Sequence, residues 1–294
     1  MKKILLLIVL GIFLSSTLPA QSCITDVWMS IQNDQIGKAK KLIDECMIGN
    51  ESSADAWLMK GNVYIRRYQQ EQNKLKSDPA YIIKDVDAIW IAYEAFYKAL
   101  QLNIKVEPKL GMFPPKSGQL ICAEGLVAEG QKALKNNDPD KAFKYIETAA
   151  TIYKTLDDKN ELAVLYNKLG HIYITNHYDY DQGMVYFNQA LEYAGLTGNQ
   201  KEMATSYNSI GGIYYYRNDL DKAYNYFRDA LKIREEIGDE SGIAASLNNI
   251  GEIHRLKGDF NKALDFYNQA IKINETIRHD KYLSVNYQNL GLIY

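Results

Sequence analysis

The chain lacks the features of nucleic-acid-binding and membrane-spanning proteins. Its 34 basic and 36 acidic residues nearly balance, and no run of lysine and arginine stands out. A mildly acidic chain without a basic patch argues against nucleic acid or an anionic membrane as a partner. The one long apolar run, residues 4–14, falls well short of the roughly 20 residues that a membrane-spanning helix needs.

Constellations of catalytic or metal-binding residues are also missing. The four histidines are scattered, and no pair has the i, i+4 spacing of a helical metal site. Residues 179–183 resemble the start of a calcium loop, but the third ligand and the closing glutamate are absent, so helix capping explains them. The pair Gly211-Gly212 follows no strand, which excludes a phosphate loop. We therefore expect no enzyme activity, no catalytic or metal-binding residues and no cofactor.

The first twenty residues indicate a secretory signal peptide. Lys2 and Lys3 precede the apolar run, and small, turn-forming residues lead to a cleavage position after Ala20. Two alternatives stay open: an uncleaved membrane anchor, or a lipoprotein acylated at Cys23, although its lipobox is poor. We expect an exported protein in the periplasm or at the surface of a bacterium, with no stable membrane insertion after signal cleavage.

Export makes the three cysteines informative. Cys23 and Cys46 fall near the start of one predicted helix and the end of the next, which antiparallel packing would bring together. A disulfide there would stabilise this terminal helix pair by about 3 kcal/mol in the chain-entropy model. The alternative is a pair of small buried thiols. Cys122 is left without a partner and is expected to be buried.

Four glycines recur at nearly constant intervals. Gly170, Gly211, Gly251 and Gly291 are 41, 40 and 40 residues apart, within the phrases YNKLGHIY, YNSIGGIY, LNNIGEIH and YQNLGLIY. A fixed period of 20–50 residues indicates stacked supersecondary units. Such an array offers an extended surface rather than a pocket, which favours binding over catalysis.

Residues 200–238 show what one unit is. Apolar residues follow the spacing of two helix faces, and the polar turn 217–221 between them offers Asp or Asn as an N-cap. Gly238 and Asp239 supply a C-cap and turn. The unit is therefore a helical hairpin, in which Gly211 is predicted to mark the close approach of its two helices.

These positions resemble the signature of the tetratricopeptide repeat (TPR) family in a 40-residue variant. Relative to the glycine, that signature has a large residue at −4, an aromatic at +3, alanine at +12, an aromatic at +16 and alanine at +19. Two successive units match it closely: Tyr207, Gly211, Tyr214, Ala223, Phe227 and Ala230, then Leu247, Gly251, His254, Ala263, Tyr267 and Ala270. The resemblance implies an all-α, right-handed superhelical TPR solenoid of antiparallel helix pairs.

The resemblance is tight towards the C-terminus and loose before it. We predict divergent TPR-like helix pairs at 21–156 and a regular array at 157–294. The divergent part contains an insertion near 69–85, expected to be a loop or an extended helix start, and a proline-containing break near 104–116. In the unit of Gly170 the second helix runs one residue late, because its turn is longer.

The last unit is incomplete. The chain ends at Tyr294, inside a first helix whose core face, with Tyr287 and Leu290, is poised to receive a second helix. One interpretation is a fragment of a longer protein; the other is a lone capping helix.

The resemblance also implies a binding groove. In TPR proteins, first-helix residues at −3, −2, +1, +4 and +5 from the glycine line the inner surface. Carried over, the candidate groove residues are Asn167, Lys168, His171, Asn208, Ser209, Tyr215, Tyr216, Asn248, Asn249, Glu252, Arg255, Gln288 and Asn289, with Ile174, Thr175, Gly212, Leu256 and Leu292 at equivalent positions.

Side-chain amides recur at the −3 position, in Asn167, Asn208, Asn248 and Gln288. An amide both donates and accepts, so such a column could pair with the backbone of an extended peptide, and nearby tyrosines would add rigid apolar contact. This resembles the asparagine ladders of peptide-binding TPR proteins, and it does not resemble the basic carboxylate clamp of chaperone-binding ones. The alternative is that the amides bond neighbouring helices and keep the repeats in register.

Two functions follow as expectations. The first is an exported scaffold or adaptor that binds a protein or peptide segment in its concave groove. The second is the extracytoplasmic sensor region of a longer signalling protein, such as a histidine kinase, that continues beyond Tyr294.

Overall fold

The computed structural model describes residues 18–102 and 112–293, apart from the side chains of residues 18–21, 280 and 281. All regular elements in these ranges are helical, so the predicted all-α class is confirmed. The helices are α1 Leu18–Gln32, α2 Ile36–Cys46, α3 Ala54–Ser77, α4 Ala88–Leu102, α5 Pro115–Lys135, α6 Pro139–Thr155, α7 Lys159–Ile172, α8 Tyr180–Thr197, α9 Gln200–Tyr216, α10 Leu220–Ile237, α11 Glu240–Leu256, α12 Phe260–Thr276 and α13 Asp280–Gly291.

Some expectations fall outside these ranges. Only the last three residues of the predicted signal peptide are described, and they begin α1. Residues 104–111 of the predicted break and the terminal Tyr294 are not among the described residues. Helix α5 begins at Pro115, where the fixed φ of proline suits a first helical turn and its missing N–H costs no hydrogen bond.

The chain forms two compact units, divided between Glu129 and Gly130. In the second unit, consecutive helices pack against each other from α6 to α13. The signature glycines lie where paired helices approach: a Cβ on Gly170 would meet the Phe187 ring at 2.7 Å, and one on Gly251 would meet Tyr267 at 2.7 Å. Close approach, predicted from the period, is therefore confirmed at Gly170, Gly211 and Gly251, whereas a Cβ on Gly291 would meet no atom within 4 Å, so the prediction is wrong there.

The units stack through the aromatic residues of the second helices. Phe187 on α8 packs against Ile210 and Ile213 of α9, and Phe227 on α10 packs against Ile250 and Ile253 of α11. Each of these buried side chains contributes about 1.5–3 kcal/mol. The same ring thus fills the space beside the glycine of its own unit and supports the first helix of the next.

Polar caps separate the helices at regular intervals. In each helix from α6 to α11, the backbone N–H of the third helical residue donates to an Asp or Asn at the N-cap, which satisfies a donor that the helix leaves unpaired. These caps are Asp138, Asp158, Asp179, Asn199, Asp219 and Asp239. Gly238 ends α10 in the left-handed conformation, with φ 69°, as its sequence position predicts.

The extra residue in the unit of Gly170 forms a π-helical turn. Tyr173–His177 adopt this turn directly after α7, and the chain then leaves it through Tyr178 at φ 54°. A π-turn absorbs one inserted residue inside a helix. It accounts for the interval of 41 residues and allows α8 to recover the packing of the other units.

In the first unit, the predicted insertion near 69–85 is partly helical. Residues 69–77 prolong α3, because Gln, Glu and Lys are good helix formers, and residues 78–87 connect α3 to α4. The fully buried Glu71 holds this connection: its carboxylate accepts from the Lys84 backbone N–H at 2.7 Å and from the Tyr81 hydroxyl at 3.0 Å. The Arg67 guanidinium lies 3.0 Å from the same carboxylate and balances its charge.

A disulfide joins Cys23 on α1 to Cys46 at the end of α2, with 5.9 Å between their Cα atoms. This separation is within the usual range for disulfides. Cys122 is a free, buried thiol, and burial raises its pKa. A thiol in such surroundings is unreactive.

Candidate functional site

The second unit contains an open cavity of about 380 Å³ between its first helices. We call it the groove cavity. Nine of the thirteen candidate groove residues line it, together with Ile174, Gly212 and Phe227: His171, Asn208, Ser209, Tyr215, Tyr216, Asn248, Asn249, Glu252 and Asn289.

The remaining four candidates lie elsewhere. Asn167 is 3% exposed, and both ends of its amide bond to α9. Its Nδ2 donates to the Glu202 carboxylate at 2.9 Å, and its Oδ1 accepts from the Ser206 hydroxyl at 2.9 Å. Lys168, Arg255 and Gln288 do not line the cavity, and Gln288 is exposed on α13. The first member of the amide column therefore holds two repeats together and does not face the groove.

Asn208 and Asn248 also bridge repeats, but only through their oxygens. Asn208 Oδ1 accepts from Arg234 Nη1 at 3.3 Å and from Asn249 Nδ2 at 3.1 Å. Asn248 Oδ1 accepts from Nδ2 of Asn286 and of Asn289, each at 2.9 Å. Arginine can only donate, so its bond fixes which end of the Asn208 amide faces the repeat junction.

Each amide pair leaves one donor and one acceptor for the cavity. Among the described residues, no hydrogen bond occupies Nδ2 of Asn208 or Asn248, or Oδ1 of Asn249 or Asn289. All four residues line the cavity. The two pairs, one repeat apart, thus present alternating N–H and C=O groups, which are the groups that a peptide backbone can bind.

Arg234 supports the Asn208 pair from behind. It is 9% exposed, and besides Asn208 its Nη1 donates to the Gly242 carbonyl at 3.1 Å and the Ser246 hydroxyl at 2.7 Å. Burial lowers its pKa, and the Asp239 carboxylate partly offsets this. The sequence patterns drew no attention to Arg234, since position +23 from the glycine lies outside the signature.

The charged groups at the cavity are paired internally. Glu252 accepts from Arg255 at 2.6 and 2.8 Å, from the Tyr267 hydroxyl at 2.8 Å and from the Tyr215 hydroxyl at 3.1 Å. Burial by itself would raise the pKa of Glu252, but these hydrogen bonds outweigh it and hold the pKa below its ordinary value. The cavity therefore presents a neutral ion pair and not a free charge.

His171 adds a further neutral group. Its Nε2 lies 3.2 Å from the Ser209 hydroxyl, and its ring packs edge-on against Phe187 at 5.1 Å between centroids. The side chain is accessible from the cavity, yet the surrounding protein desolvates the ring and lowers its pKa, against a smaller opposing effect of Glu202.

A second cavity of about 270 Å³ lies among α6, α7 and α8, bounded by Tyr166 and Tyr186. These rings belong to a row in which Tyr166 stacks on Tyr193 and Tyr173 stacks on Tyr186. Most of these tyrosines occupy signature or helix-face positions, and their ring contacts join the two helices of one repeat.

Neither metal nor membrane sites are found in the described ranges. No group of three or more His, Cys, Asp or Glu side chains there could hold a metal ion. No helix within 18–102 or 112–293 combines the length and apolar character needed to cross a bilayer.

Consecutive antiparallel helix pairs with a glycine at each close contact define a helical-repeat solenoid. Residues 202–276, from α9 to α12, match the family model of the tetratricopeptide repeat. These residues are tetratricopeptide repeats, and the fold is that of a TPR solenoid. No curated protein sequence matches the chain.

Solved structures share the fold at low sequence identity. Aspartyl phosphate phosphatase F from Bacillus subtilis is 17% identical with a TM-score of 0.56, covering 95% of this chain and 80% of its own. A Rap protein complexed with competence and sporulation factor is 16% identical, with a TM-score of 0.53 and coverages of 91% and 80%. BtubC from P. vanneervenii is 18% identical, with a TM-score of 0.51 and coverages of 76% and 92%.

Proposed function

We propose that this protein is a binding scaffold that holds an extended, uncharged peptide segment of a partner protein in the groove cavity. The observation that carries the proposal is the pair of amide contacts Asn249–Asn208 and Asn289–Asn248. Each uses one donor and one acceptor to join repeats and leaves one of each at the cavity.

Charge supports a neutral ligand. Burying an unpaired charge is costly, and the acidic side chain that lines the cavity, Glu252, is already paired with Arg255, which lies outside the lining. A peptide main chain brings N–H and C=O groups without net charge. One similar solved structure, the Rap protein, holds a bound factor, which illustrates that the fold accommodates a partner.

We further propose that the scaffold acts outside the cytoplasm, in the periplasm or at the cell surface of a bacterium. The support is the sequence pattern of residues 1–20. Fractionation of the native cells, followed by N-terminal sequencing, tests this: a chain that begins at Gln21 in the envelope fraction is expected, and an intact N-terminus in the cytosol contradicts it.

The sensor alternative makes the same groove the input site of a longer signalling protein. The coding sequence beyond Tyr294 separates the two proposals. A transmembrane segment followed by kinase motifs would favour the sensor, and a stop after one or two further repeats would favour the free scaffold.

The groove is tested with Asn208→Asp and Asn208→Ala. The probe is an uncharged, fluorescent peptide selected on the purified protein from a random dodecamer library. Asn208→Asp keeps an acceptor for Arg234 and Asn249 but removes the donor at the cavity. We expect this variant to keep the melting temperature of the unaltered protein and to lower the affinity for the peptide by roughly five- to tenfold.

Asn208→Ala provides the comparison, since it removes both the junction acceptor and the cavity donor. It should weaken the peptide and also lower the melting temperature, because Arg234 Nη1 and Asn249 Nδ2 lose a partner. Unchanged affinity in Asn208→Asp would show that the amides serve only the register of the repeats.

A further inference from the structure

We propose that the groove cavity contains a recognition pocket for one bulky apolar side chain of the bound peptide, and that the pocket exists because residue 212 is glycine. This inference rests on the proposed function and deepens it, since it names the chemistry that selects the ligand.

Gly212 stands where other units carry a side chain. It occupies position +1 from the signature glycine, where the preceding unit has His171 and the following unit has Glu252. A Cβ built on Gly212 meets no atom within 4 Å, whereas one on the adjacent Gly211 would lie 2.8 Å from Phe227. Packing therefore requires glycine at 211 and does not require it at 212, where its absence of a side chain opens the cavity.

Part of the cavity wall is apolar or aromatic. Phe227, Ile174, Tyr215 and Tyr216 line the cavity with it. Phe227 is fixed in the core at 3% exposure, while Tyr216 is 67% exposed at the opening. The Tyr215 and Tyr216 rings meet edge to face at 5.5 Å. Aromatic walls of this kind bind large apolar side chains.

The π-turn places one of these walls. Ile174 lies inside Tyr173–His177 and packs against α8 at Gly183, where any Cβ would clash with the Ile174 side chain. Gly183 takes the place of the alanines Ala223 and Ala263 in the later units. The inserted residue and this glycine thus seat an apolar side chain at the pocket, while the next unit has Tyr215 at that position.

The rim excludes a charged occupant. Glu252 is already bonded to Arg255, Tyr267 and Tyr215, so it offers no countercharge to a lysine or arginine. A carboxylate would find donors that carry no charge, such as the Asn208 and Asn248 amides, and no lysine or arginine among the lining residues. A side chain without charge loses least on entering, and the volume of about 380 Å³ suits a ligand-sized group and adjoining main chain.

The test compares Gly212→Leu with Gly195→Leu. Gly195 is a helical glycine on α8 that is also open at its Cβ and lies outside the groove cavity, so it controls for adding leucine to an exposed helix. The probes are peptides selected on the unaltered protein from the random dodecamer library, each then resynthesised with its bulky apolar residue replaced by alanine.

We expect the selected peptides to share one bulky apolar residue. Gly212→Leu should lower the affinity for these peptides by about tenfold or more, and Gly195→Leu should leave it unchanged. The alanine-substituted peptides should bind both leucine variants and the unaltered protein equally weakly. Gly212→Ala, which fills less of the pocket, should give an intermediate loss. Circular dichroism confirms that each variant folds.

The failures are distinguishable. If peptides lose affinity in Asn208→Asp but bind Gly212→Leu normally, the pocket proposal is overturned and groove binding stands. If the library yields no peptide that is sensitive to either variant, both proposals fall. The proposed chemistry would also be overturned if the affinity lost in Gly212→Leu depended on a charged residue of the peptide and not on an apolar one.

Discussion

Gly211 and Phe227 are in direct contact across the two helices of one repeat: a Cβ on Gly211 would lie 2.8 Å from the Phe227 ring. Phe227 is 3% exposed and packs against the next repeat through Ile250 and Ile253. The ring is held from both sides and cannot withdraw. This contact links packing inside a repeat to the stacking between repeats.

Adjacent glycines should therefore respond to alanine in opposite directions. Gly211→Ala forces overpacking against Phe227 and should cost about 1–3 kcal/mol. Gly212→Ala meets open space and should stabilise by roughly 0.5–1 kcal/mol, because alanine is the better helix former. Thermal unfolding followed by circular dichroism measures both. Equal shifts in one direction would contradict this account of the repeat.

The period of the glycines made most of the helix packing in the repeats predictable. It assigned Gly170, Gly211 and Gly251 to close helix contacts, because only a small residue fits where two helices approach. It could not assign the amides, since a −3 residue can face either the junction or the groove. In the structure, Oδ1 of Asn208 accepts hydrogen bonds from Arg234 and Asn249, and no hydrogen bond among the described residues occupies its Nδ2.

Other parts of the site depend on contacts that no periodic signal encodes. Arg234 reaches Asn208 and Ser246 from a position outside the signature, and Phe227 reaches the cavity from a second helix. A stacked array was expected to offer an extended surface without a pocket. The structure instead has a cavity with Gly212 in its lining. The sequence could not predict this, because the space left by a missing side chain depends on how the neighbouring residues are arranged.

The Glu252 carboxylate should make stability depend on acid pH. Hydrogen bonds from Arg255, Tyr267 and Tyr215 hold its pKa below the ordinary value of 4.5, so its contribution is present above pH 4.5 and is lost as pH falls through the folded-state pKa. Glu252→Gln should lower stability at neutral pH by about 1–3 kcal/mol.

Melting curves of the unaltered protein and Glu252→Gln at pH 7 and below pH 4.5 test this. The gap between the two proteins should narrow in acid, because protonation removes the charge that the variant already lacks. Asp229→Asn serves as a control, since Asp229 pairs only with the exposed, neighbouring Arg228 and should shift the curve little at either pH. A gap that stays constant in acid would show that the Glu252 charge contributes nothing.

The Cys23–Cys46 disulfide should stabilise the first helix pair. Reduction, or Cys23→Ser, is expected to destabilise α1 and α2 by about 3 kcal/mol in the chain-entropy model and to leave the TPR segment 202–276 unaffected. Hydrogen exchange read by mass spectrometry resolves the two regions. Intact mass with and without reductant should differ by two hydrogen atoms, and two free thiols at these positions would refute the bridge.

Deleting Asn176 should be tolerated, whereas deleting Arg217 should not. Asn176 lies in the π-turn, which already holds one residue more than the corresponding turn after α9, so its removal shortens the interval from 41 residues to the 40 of the other units. Arg217 is the C-cap residue after α9 and begins a turn with no spare residue. Its removal would rotate the start of α10 by about 100° and carry Phe227 away from Gly211.

We therefore expect the Asn176 deletion to keep its helical signal and a melting temperature within a few degrees of the unaltered protein, and the Arg217 deletion to lose cooperative unfolding of this region. The Asn176 deletion should still weaken selected peptides, because Ile174 leaves the wall of the groove cavity when the π-turn becomes α-helical. Normal peptide affinity after this deletion would mean that the cavity does not depend on the inserted residue, and loss of folding would mean that the π-turn is required by the core.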